Sequence, residues 1–495
     1  MRKLNAFLVL CFAFVVTSTL RAQTSGVNNG ELKGDYALSF NGMTTGDGVT
    51  STPFAAVGRF TADGAGNLTN GELDANGFGA MEKAVAQPFT GTYSIGAGHR
   101  GVMTLNIPGG GTLAFAMMAN GNAKFVEVDA GGGHGTVGSG SMEKVDTTAY
   151  STAKIVGDYA FGFAGFDQSD NRTAIAGRFS ANGSGMAGNG AADVNQSGKF
   201  TTLNLFAATY MVTDTATGRG MINFPPVLGG APQNLDFVFY IVNAGKLFAM
   251  EGDVLSPLTP ALNGMVLQQQ TPLGGFSSTS LNGNTVMSLT GREICPGGTS
   301  AASNVIAGLL STNGVGIANL TYDQNCGGES SSVPGLTGTY NVSPNGRAAF
   351  MLGGAYVAAY VVSPNQVFFI VPDSSVLFGF GDAQAAGSFT NAAVLGSYAG
   401  SATNAAVLGV SIFSGEFTAD GASPTGNISG TEDIGAPSGP SLGVAVNATY
   451  SISSSPTNGR GTIQGGVTGV IYVISPSKFL VLSSGNSSAV LLFEQ

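Results

Sequence analysis

Four tyrosine–arginine pairs are the residues whose repetition first suggests chemistry. In each pair a Thr-Tyr dipeptide is followed, after a short turn, by an arginine. The eight residues are Tyr93, Arg100, Tyr210, Arg219, Tyr340, Arg347, Tyr450 and Arg460. Each pair could clamp a ligand at the mouth of a domain. We favour a structural role, because a strand tyrosine buries a large ring with a polar end and an arginine across the hairpin can stack on it.

An aspartate also recurs after the first hairpin of each repeat, at Asp74, Asp193, Asp323 and Asp433. It could accept turn hydrogen bonds, pair with an arginine or help to bind calcium. We favour turn hydrogen bonds, because no acidic stretch matches a calcium loop with its terminal glutamate. We predict no catalytic residue, no cofactor and no metal ligand.

Histidine and cysteine usage limits the remaining chemistry. Both histidines, His99 and His134, lie in the first repeat, so a hydrolytic triad shared by the repeats is excluded. Catalysis by a pair of carboxylates stays open. Beyond Cys11 the chain has only Cys295 and Cys326, both in the third repeat. In a secreted protein such a pair predicts a disulfide.

The spacing of the repeats defines the domains. Successive marker tyrosines lie 117, 130 and 110 residues apart, which is a domain-sized spacing. We therefore predict four copies of one fold, at residues 31–147, 153–271, 273–385 and 390–495. The linkers between them are short, so the domains are expected to form a rod with limited flexing.

Strand periodicity predicts an all-β fold. Tyr36, Leu38 and Phe40 alternate with smaller residues, which is the pattern of a half-buried strand, and Asp63-Gly64 is a hairpin turn. Each repeat reads as eight antiparallel strands in sequence. Such a meander closes into a β-barrel without exposed edges. A two-sheet β-sandwich is the alternative, and a single large outer-membrane barrel is a third option.

Composition and the first residues indicate the compartment. The net charge of −10 argues against nucleic acid, which needs a basic face. Arg2 and Lys3 precede an apolar run and a small or polar stretch that ends near Ala22, which predicts a signal peptide over residues 1–22. No later apolar run is long enough for a transmembrane helix. We expect a secreted, cell-surface or periplasmic bacterial protein.

Two resemblances follow from short motifs. Gly34-Asp35-Tyr36 at the start of eight meandering strands resembles the lipocalin and calycin group, whose first strand carries Gly-x-Trp. That resemblance implies a lipocalin-like barrel. The mature chain also resembles tandem-repeat secreted proteins of unknown function common in acidobacteria, in phrases such as the one at residues 58–67. This second resemblance implies no activity.

Three function classes remain after these observations. The first is a secreted, non-catalytic protein whose barrels bind a small ligand, a glycan or a cell-surface partner, with duplication raising avidity. The second is a purely structural surface or matrix protein, which predicts filled barrels without a cavity. The third is an enzyme that acts on polysaccharide. We expect the first, and the interior volume of one barrel separates it from the second.

Overall fold

The fold is all-β, with four eight-stranded antiparallel meander barrels in tandem. The computed structural model describes residues 26–495 apart from 46–51, 78–84, 109, 130–134, 206, 226–233, 403–410 and 486–487. The predicted signal peptide lies outside these residues. The barrel prediction is confirmed, while the β-sandwich and the single large barrel are not formed. Among the described residues, no helix is long and apolar enough to cross a membrane.

Barrel 1 is a closed ring of eight strands in which each strand pairs with its neighbour in sequence and β8 returns to β1. Tyr36, Leu38 and Phe40 point into its core, as their alternation predicts. The strands are β1 (Lys33–Thr45), β2 (Thr52–Asp63), β3 (Asn67–Asn76), β4 (Gln87–Ile95), β5 (Arg100–Asn106), β6 (Thr112–Met117), β7 (Ala123–Glu127) and β8 (Gly135–Lys144).

Barrel 2 has its fourth strand in two pieces, β12 and β13, which both pair with β11. Ala207, with φ of 63°, lies between the pieces. The barrel closes through the pairing of β10 with β11. Its strands are β9 (Val156–Phe166), β10 (Arg172–Asn182), β11 (Met186–Gln196), β12 (Lys199–Leu205), β13 (Ala208–Asp214), β14 (Arg219–Phe224), β15 (Leu235–Asn243), β16 (Lys246–Glu251) and β17 (Ala261–Gln268).

Barrels 3 and 4 repeat the closed eight-stranded order. Barrel 3 comprises β18 (Asn282–Ile294), β19 (Ala301–Asn313), β20 (Ile317–Cys326), β21 (Glu329–Val342), β22 (Arg347–Leu352), β23 (Ala355–Ser363), β24 (Gln366–Ile370) and β25 (Phe378–Ala383). Barrel 4 comprises β26 (Leu395–Ala402), β27 (Ile412–Asp420), β28 (Gly426–Gly435), β29 (Ser441–Ile452), β30 (Arg460–Gly465), β31 (Gly469–Ser475), β32 (Lys478–Ser483) and β33 (Val490–Glu494).

Short 3-10 helices precede the first strand of every barrel. They span Asn29–Glu31, Thr147–Ala149, Thr152–Lys154, Ser278–Ser280 and Asn391–Ala393. In barrel 3 the predicted disulfide is confirmed, since Cys295 and Cys326 are bonded with their Cα atoms 5.5 Å apart. It connects the end of β18 with the end of β20.

The four barrels form a closed ring and not the predicted rod. Strands β15, β16 and β17 of barrel 2 pack on barrel 1, while β23 and β24 of barrel 3 pack on barrel 2. Strands β31, β32 and β33 of barrel 4 pack on barrel 3, and β26 and β27 return to β6 and β7 of barrel 1. The rod prediction was wrong because short linkers limit the distance between neighbouring barrels but leave their relative rotation to side-chain contacts.

Candidate functional site

The four marker tyrosines lie inside their own barrels. Each hydroxyl donates a hydrogen bond to the backbone carbonyl just after a 3-10 helix, so the ring fixes the entry of the chain into the first strand. The pairs are Tyr93 with Leu32, Tyr210 with Ile155, Tyr340 with Leu281, and Tyr450 with Val394, at 2.7, 2.7, 2.5 and 2.6 Å. Burial raises the pKa of all four hydroxyls.

The four marker arginines instead leave their barrel and bind the recurring aspartate of the preceding one. Arg219 Nε and Nη2 lie 2.7 and 2.8 Å from the two carboxylate oxygens of Asp74. The same two-bond pairing joins Arg347 to Asp193 and Arg460 to Asp323. Tyrosine and arginine therefore do not form the stacked pair that we expected. The favoured local role of the aspartates holds only in part: Asp74 and Asp433 accept the backbone N–H of Ala86 and Gly443, but an arginine of another barrel also binds each aspartate.

A second tyrosine completes each of these three pairs. This tyrosine lies directly opposite the arginine on the neighbouring strand. Its hydroxyl donates a hydrogen bond to the same aspartate, at 2.8, 2.9 and 2.5 Å in the three sets. The three residues are Tyr240, Tyr360 and Tyr472. Burial is the main cause that raises the pKa of each hydroxyl, and the buried aspartate charge adds to it. We call each arginine–aspartate–tyrosine set a junction node.

An asparagine two positions after the aspartate makes a further contact that sequence reasoning missed. Asn76 Nδ2 donates to the carbonyls of Glu251 and Asp253 at 2.9 and 2.8 Å, and to the Glu251 carboxylate at 3.0 Å. Asn195 and Asn325 make the equivalent bonds to backbone carbonyls of barrels 3 and 4. The Asp-x-Asn pattern in the first three repeats was a usable signal for this contact.

The junction between barrel 4 and barrel 1, which we call the seam, has only a partial node. Ala116 pairs with Arg100 where the other barrels carry the tyrosine, and Gly435 stands where they carry the asparagine. Arg100 Nη2 donates to Asp433 Oδ1. Arg100 Nε and Asp433 Oδ2 are buried and have no hydrogen-bond partner in the part of the chain that the structure describes.

Other contacts hold the seam together. Ser139 donates to the Ala402 carbonyl and Ser414 to the Lys124 carbonyl, each at 2.9 Å. The Lys124 ammonium lies 2.7 Å from the Glu494 carboxylate. A cleft of about 520 Å³ remains between the two barrels, lined in part by His99.

Barrel 1 contains an open cavity of about 510 Å³ at the end where β5 turns into β6. Its walls are mainly apolar. They include Leu38, Phe40, Leu105, Leu113 and Phe125. This volume lies within the range of small-molecule sites in proteins, and such sites combine apolar walls with a few polar groups.

Two carboxyl groups supply the polar part of this cavity. Glu127 and Asp129 both lie on its wall. Burial raises the pKa of Glu127 well above its ordinary value, and the charge of Asp129 and a hydrogen bond to it raise it further. The Asp129 carboxylate also accepts the backbone N–H of Thr112 at 3.1 Å. The two neighbouring carboxyl groups offer hydrogen-bonding oxygens to a ligand on an otherwise apolar wall.

The equivalent interior of barrel 2 is filled by rings. The first-strand tyrosines and the marker arginines occupy equivalent positions in barrels 1 and 2. Counted from them along the strands, Leu38, Leu105 and Leu113 of barrel 1 stand where barrel 2 has three phenylalanines. These are Phe161, Phe224 and Phe237, and the centroids of Phe161 and Phe237 lie 5.1 and 5.5 Å from that of Phe224. Three inward-facing side chains are therefore smaller in barrel 1 than in barrel 2, while Phe125 of the cavity wall stands where barrel 2 has Ala249.

A second space of about 640 Å³ lies where the four barrels meet. Its charged groups are largely paired with one another: Lys246 with Glu143, and Lys478 with Asp382 and Glu494, all within 3 Å. The pairs Lys246–Glu143 and Lys478–Asp382 join different barrels and so stabilise the ring, while Lys478–Glu494 lies within barrel 4. In the described part of the chain, no group of three or more histidine, cysteine, aspartate or glutamate side chains is placed to hold a metal ion.

Comparison with known proteins gives the fold no functional name. No protein-family model and no curated protein matches the chain. Among solved structures, the chain is similar to a DUF3598 family protein of unknown function from Nostoc punctiforme, with 12% identity over 60% of this chain and 96% of that one and a TM-score of 0.14. It is also similar to Transferrin Binding Protein B from Haemophilus parasuis, with 9% identity, coverage of 70% and 76%, and a TM-score of 0.17.

Proposed function

We propose that this protein is a non-catalytic binding protein whose ligand site is the barrel 1 cavity. The observation that carries the proposal is the cavity of about 510 Å³ at the three leucine positions that barrel 2 fills with phenylalanine. A purely structural role would leave this space without a use. In this proposal barrels 2, 3 and 4 form the frame that holds barrel 1.

The chemistry of the cavity defines the ligand class. Its apolar walls favour a hydrocarbon body, since burial stabilises by about 25 cal/mol per Å² of apolar surface. The Glu127–Asp129 pair favours a head group that both donates and accepts hydrogen bonds, such as a hydroxyl, and it disfavours a carboxylate by like charge. We therefore propose a compact apolar alcohol, in preference to a glycan or a fatty acid.

The disulfide supports a location outside the bacterial cytoplasm, since structural disulfides persist in oxidising compartments. Secretion through the predicted leader at residues 1–22 is part of the same proposal. A ligand-binding protein at the cell surface or in the periplasm fits this compartment.

Binding of Nile red, a neutral apolar dye, tests the site directly. We expect the wild-type chain to bind Nile red with a rise in fluorescence, and the Leu105→Phe/Leu113→Phe variant to lose most of it because the rings fill the cavity. A medium-chain alcohol should displace the dye better than the carboxylic acid of equal length.

The matched control makes the reverse change in barrel 2. The Phe224→Leu/Phe237→Leu variant should keep wild-type binding in barrel 1. Undiminished dye binding by the filled barrel 1 variant, with its fold intact by circular dichroism, would overturn the proposal.

A further inference from the structure

We infer that the seam is the junction at which the ring opens, and that its closure regulates the barrel 1 cavity. The second part of this inference rests on the proposed function.

Chain connectivity distinguishes the seam from the other junctions. Barrels 1 and 2, 2 and 3, and 3 and 4 are consecutive in the chain and joined by short segments, whereas barrels 4 and 1 lie at opposite ends of the described sequence. A short linker keeps two surfaces at a high effective concentration. When the seam separates, only contacts through the rest of the ring bring its surfaces back together.

The polar node is least complete at this same junction. The seam lacks the node tyrosine and the asparagine, and among the described residues Arg100 Nε and Asp433 Oδ2 have no hydrogen-bond partner. Each of the other three junctions has all of these contacts. Regions with fewer satisfied buried contacts open locally before the rest of a protein does.

Strands β6 and β7 connect the seam to the cavity. Their alternating residues face opposite ways, as in any strand. Leu113, Phe125 and Glu127 line the cavity, while Ala114 and Val126 on the opposite faces belong to the apolar cluster of barrel 4. Separation of barrel 4 therefore removes the support behind one wall of the cavity.

Glu127 belongs to both regions. An added Cβ at Gly435 would lie 2.4 Å from the Glu127 carbonyl oxygen, so this glycine allows barrel 4 to approach β7 closely. In barrel 2 the equivalent Glu251 is bound by Asn76 across the junction. With glycine in place of asparagine, the Glu127 carboxyl has no such partner and faces the cavity.

These contacts predict a reciprocal coupling. A ligand that orders the β6–β7 wall favours the closed seam, and a closed seam raises the affinity for the ligand by the same factor. Barrel 4 thus acts as a regulatory support for the site in barrel 1.

Thiol labelling of matched positions tests the opening. Ala399 at the seam, Ala37 between barrels 1 and 2, and Ala160 between barrels 2 and 3 are equivalent buried residues of first strands. In a chain carrying Cys11→Ser, we expect Ala399→Cys to react with a thiol reagent at least about tenfold faster than Ala37→Cys or Ala160→Cys, because local opening controls access. Equal rates at the three positions would overturn the opening.

Saturating Nile red then tests the coupling. It should slow labelling of the Ala399→Cys variant and leave the Ala37→Cys variant unchanged. Fast labelling of Ala399→Cys that the bound dye does not slow would overturn the coupling and leave the proposed function standing. Absence of dye binding to the wild-type chain would overturn the proposed function and the coupling, while the labelling rates still decide the opening.

Discussion

The recurring buried aspartate has different hydrogen-bond partners at the junction between barrels 1 and 2 and at the seam. Asp74 accepts two bonds from Arg219 and one from Tyr240, and Asn76 beside it spans the junction. Asp433 is similarly buried, but it accepts one bond from Arg100 and one from the Gly443 N–H, and its second oxygen has no partner among the described residues. The two junctions share a geometry and differ in how completely it is satisfied.

The difference shows that the node is not needed to form a barrel. Barrels 1 and 4 both close with an incomplete node between them. The complete nodes instead fix the rotation between neighbouring barrels, because their partners lie on different barrels and are held by two-bond geometry. The seam is then the part of the ring in which this constraint is weakest.

Removal of the aspartate should have its largest effect at a complete junction. Asp74→Ala removes the two-bond acceptor of Arg219 and leaves Tyr240 with Glu72 alone, and loss of one partner of a buried ion pair costs about 3–5 kcal/mol. Asp433→Ala should cost about 1 kcal/mol less than Asp74→Ala, because Arg100 donates one bond there and Arg219 donates two. Urea denaturation followed by circular dichroism measures both changes in the free energy of unfolding.

A control for this comparison is Asp63→Ala, which removes an exposed aspartate whose bonds stay within its hairpin. It should lower the free energy of unfolding less than either substitution at a junction. Equal losses for Asp74→Ala and Asp433→Ala would show that the seam is as firmly held as the other junctions.

Substitution at the asparagine position should reveal opposite requirements. Asn76→Ala leaves buried acceptors of barrel 2 without a donor and should cost about 1–3 kcal/mol. Gly435→Ala should also cost about 1–3 kcal/mol, but for a different reason: its new methyl group would clash with the Glu127 carbonyl oxygen. Thermal denaturation measures both losses.

The two causes can be separated by the labelling assay. Gly435→Ala should accelerate labelling of Ala399→Cys, because it forces the seam apart, whereas Asn76→Ala should not. A Gly435→Ala variant with wild-type stability and labelling would show that the seam adjusts freely, against the close packing seen here.

The sequence predicted the contents of each barrel better than the arrangement of the barrels. Period-two alternation in residues such as Tyr36, Leu38 and Phe40, together with repeated turns, identified the meander, because these signals are local. The disulfide followed from having two cysteines in one repeat. The ring did not follow, because Arg219 and Asp74 are 145 residues apart and nothing local links them.

The cavity was only partly accessible from sequence. Alignment of the repeats shows Leu105 and Leu113 against Phe224 and Phe237, but the register is needed to show that all four point inward. The roles of Ala116 and Gly435 were hidden for a related reason. Each is an ordinary small residue until the structure shows what the other barrels place there.

The smallest expected effect is a pH dependence that originates beside the seam. Burial and, to a smaller extent, the charge of Asp433 raise the pKa of Glu432 to about 7, while Arg100 acts in the opposite direction. The ordinary value is 4.5, so between pH 4.5 and about 7 the folded protein retains a proton that the unfolded chain has released. This carboxyl therefore makes stability rise as pH falls from about 8 toward 5. Barrel 1 has Leu73 at the equivalent position, which does not titrate.

Glu432→Gln should remove this contribution, so its free energy of unfolding should depend less on pH than that of the wild type over the same range. Other buried carboxyls, among them Glu127 and Glu251, contribute with the same sign in both proteins and cancel in the difference. In a chain that carries Asp433→Asn, the effect of Glu432→Gln on the pH dependence should be smaller, because the second cause of the raised Glu432 pKa is then absent. If Glu432→Gln and the wild type showed the same pH dependence, the charge at the seam would have to be balanced by groups other than Arg100.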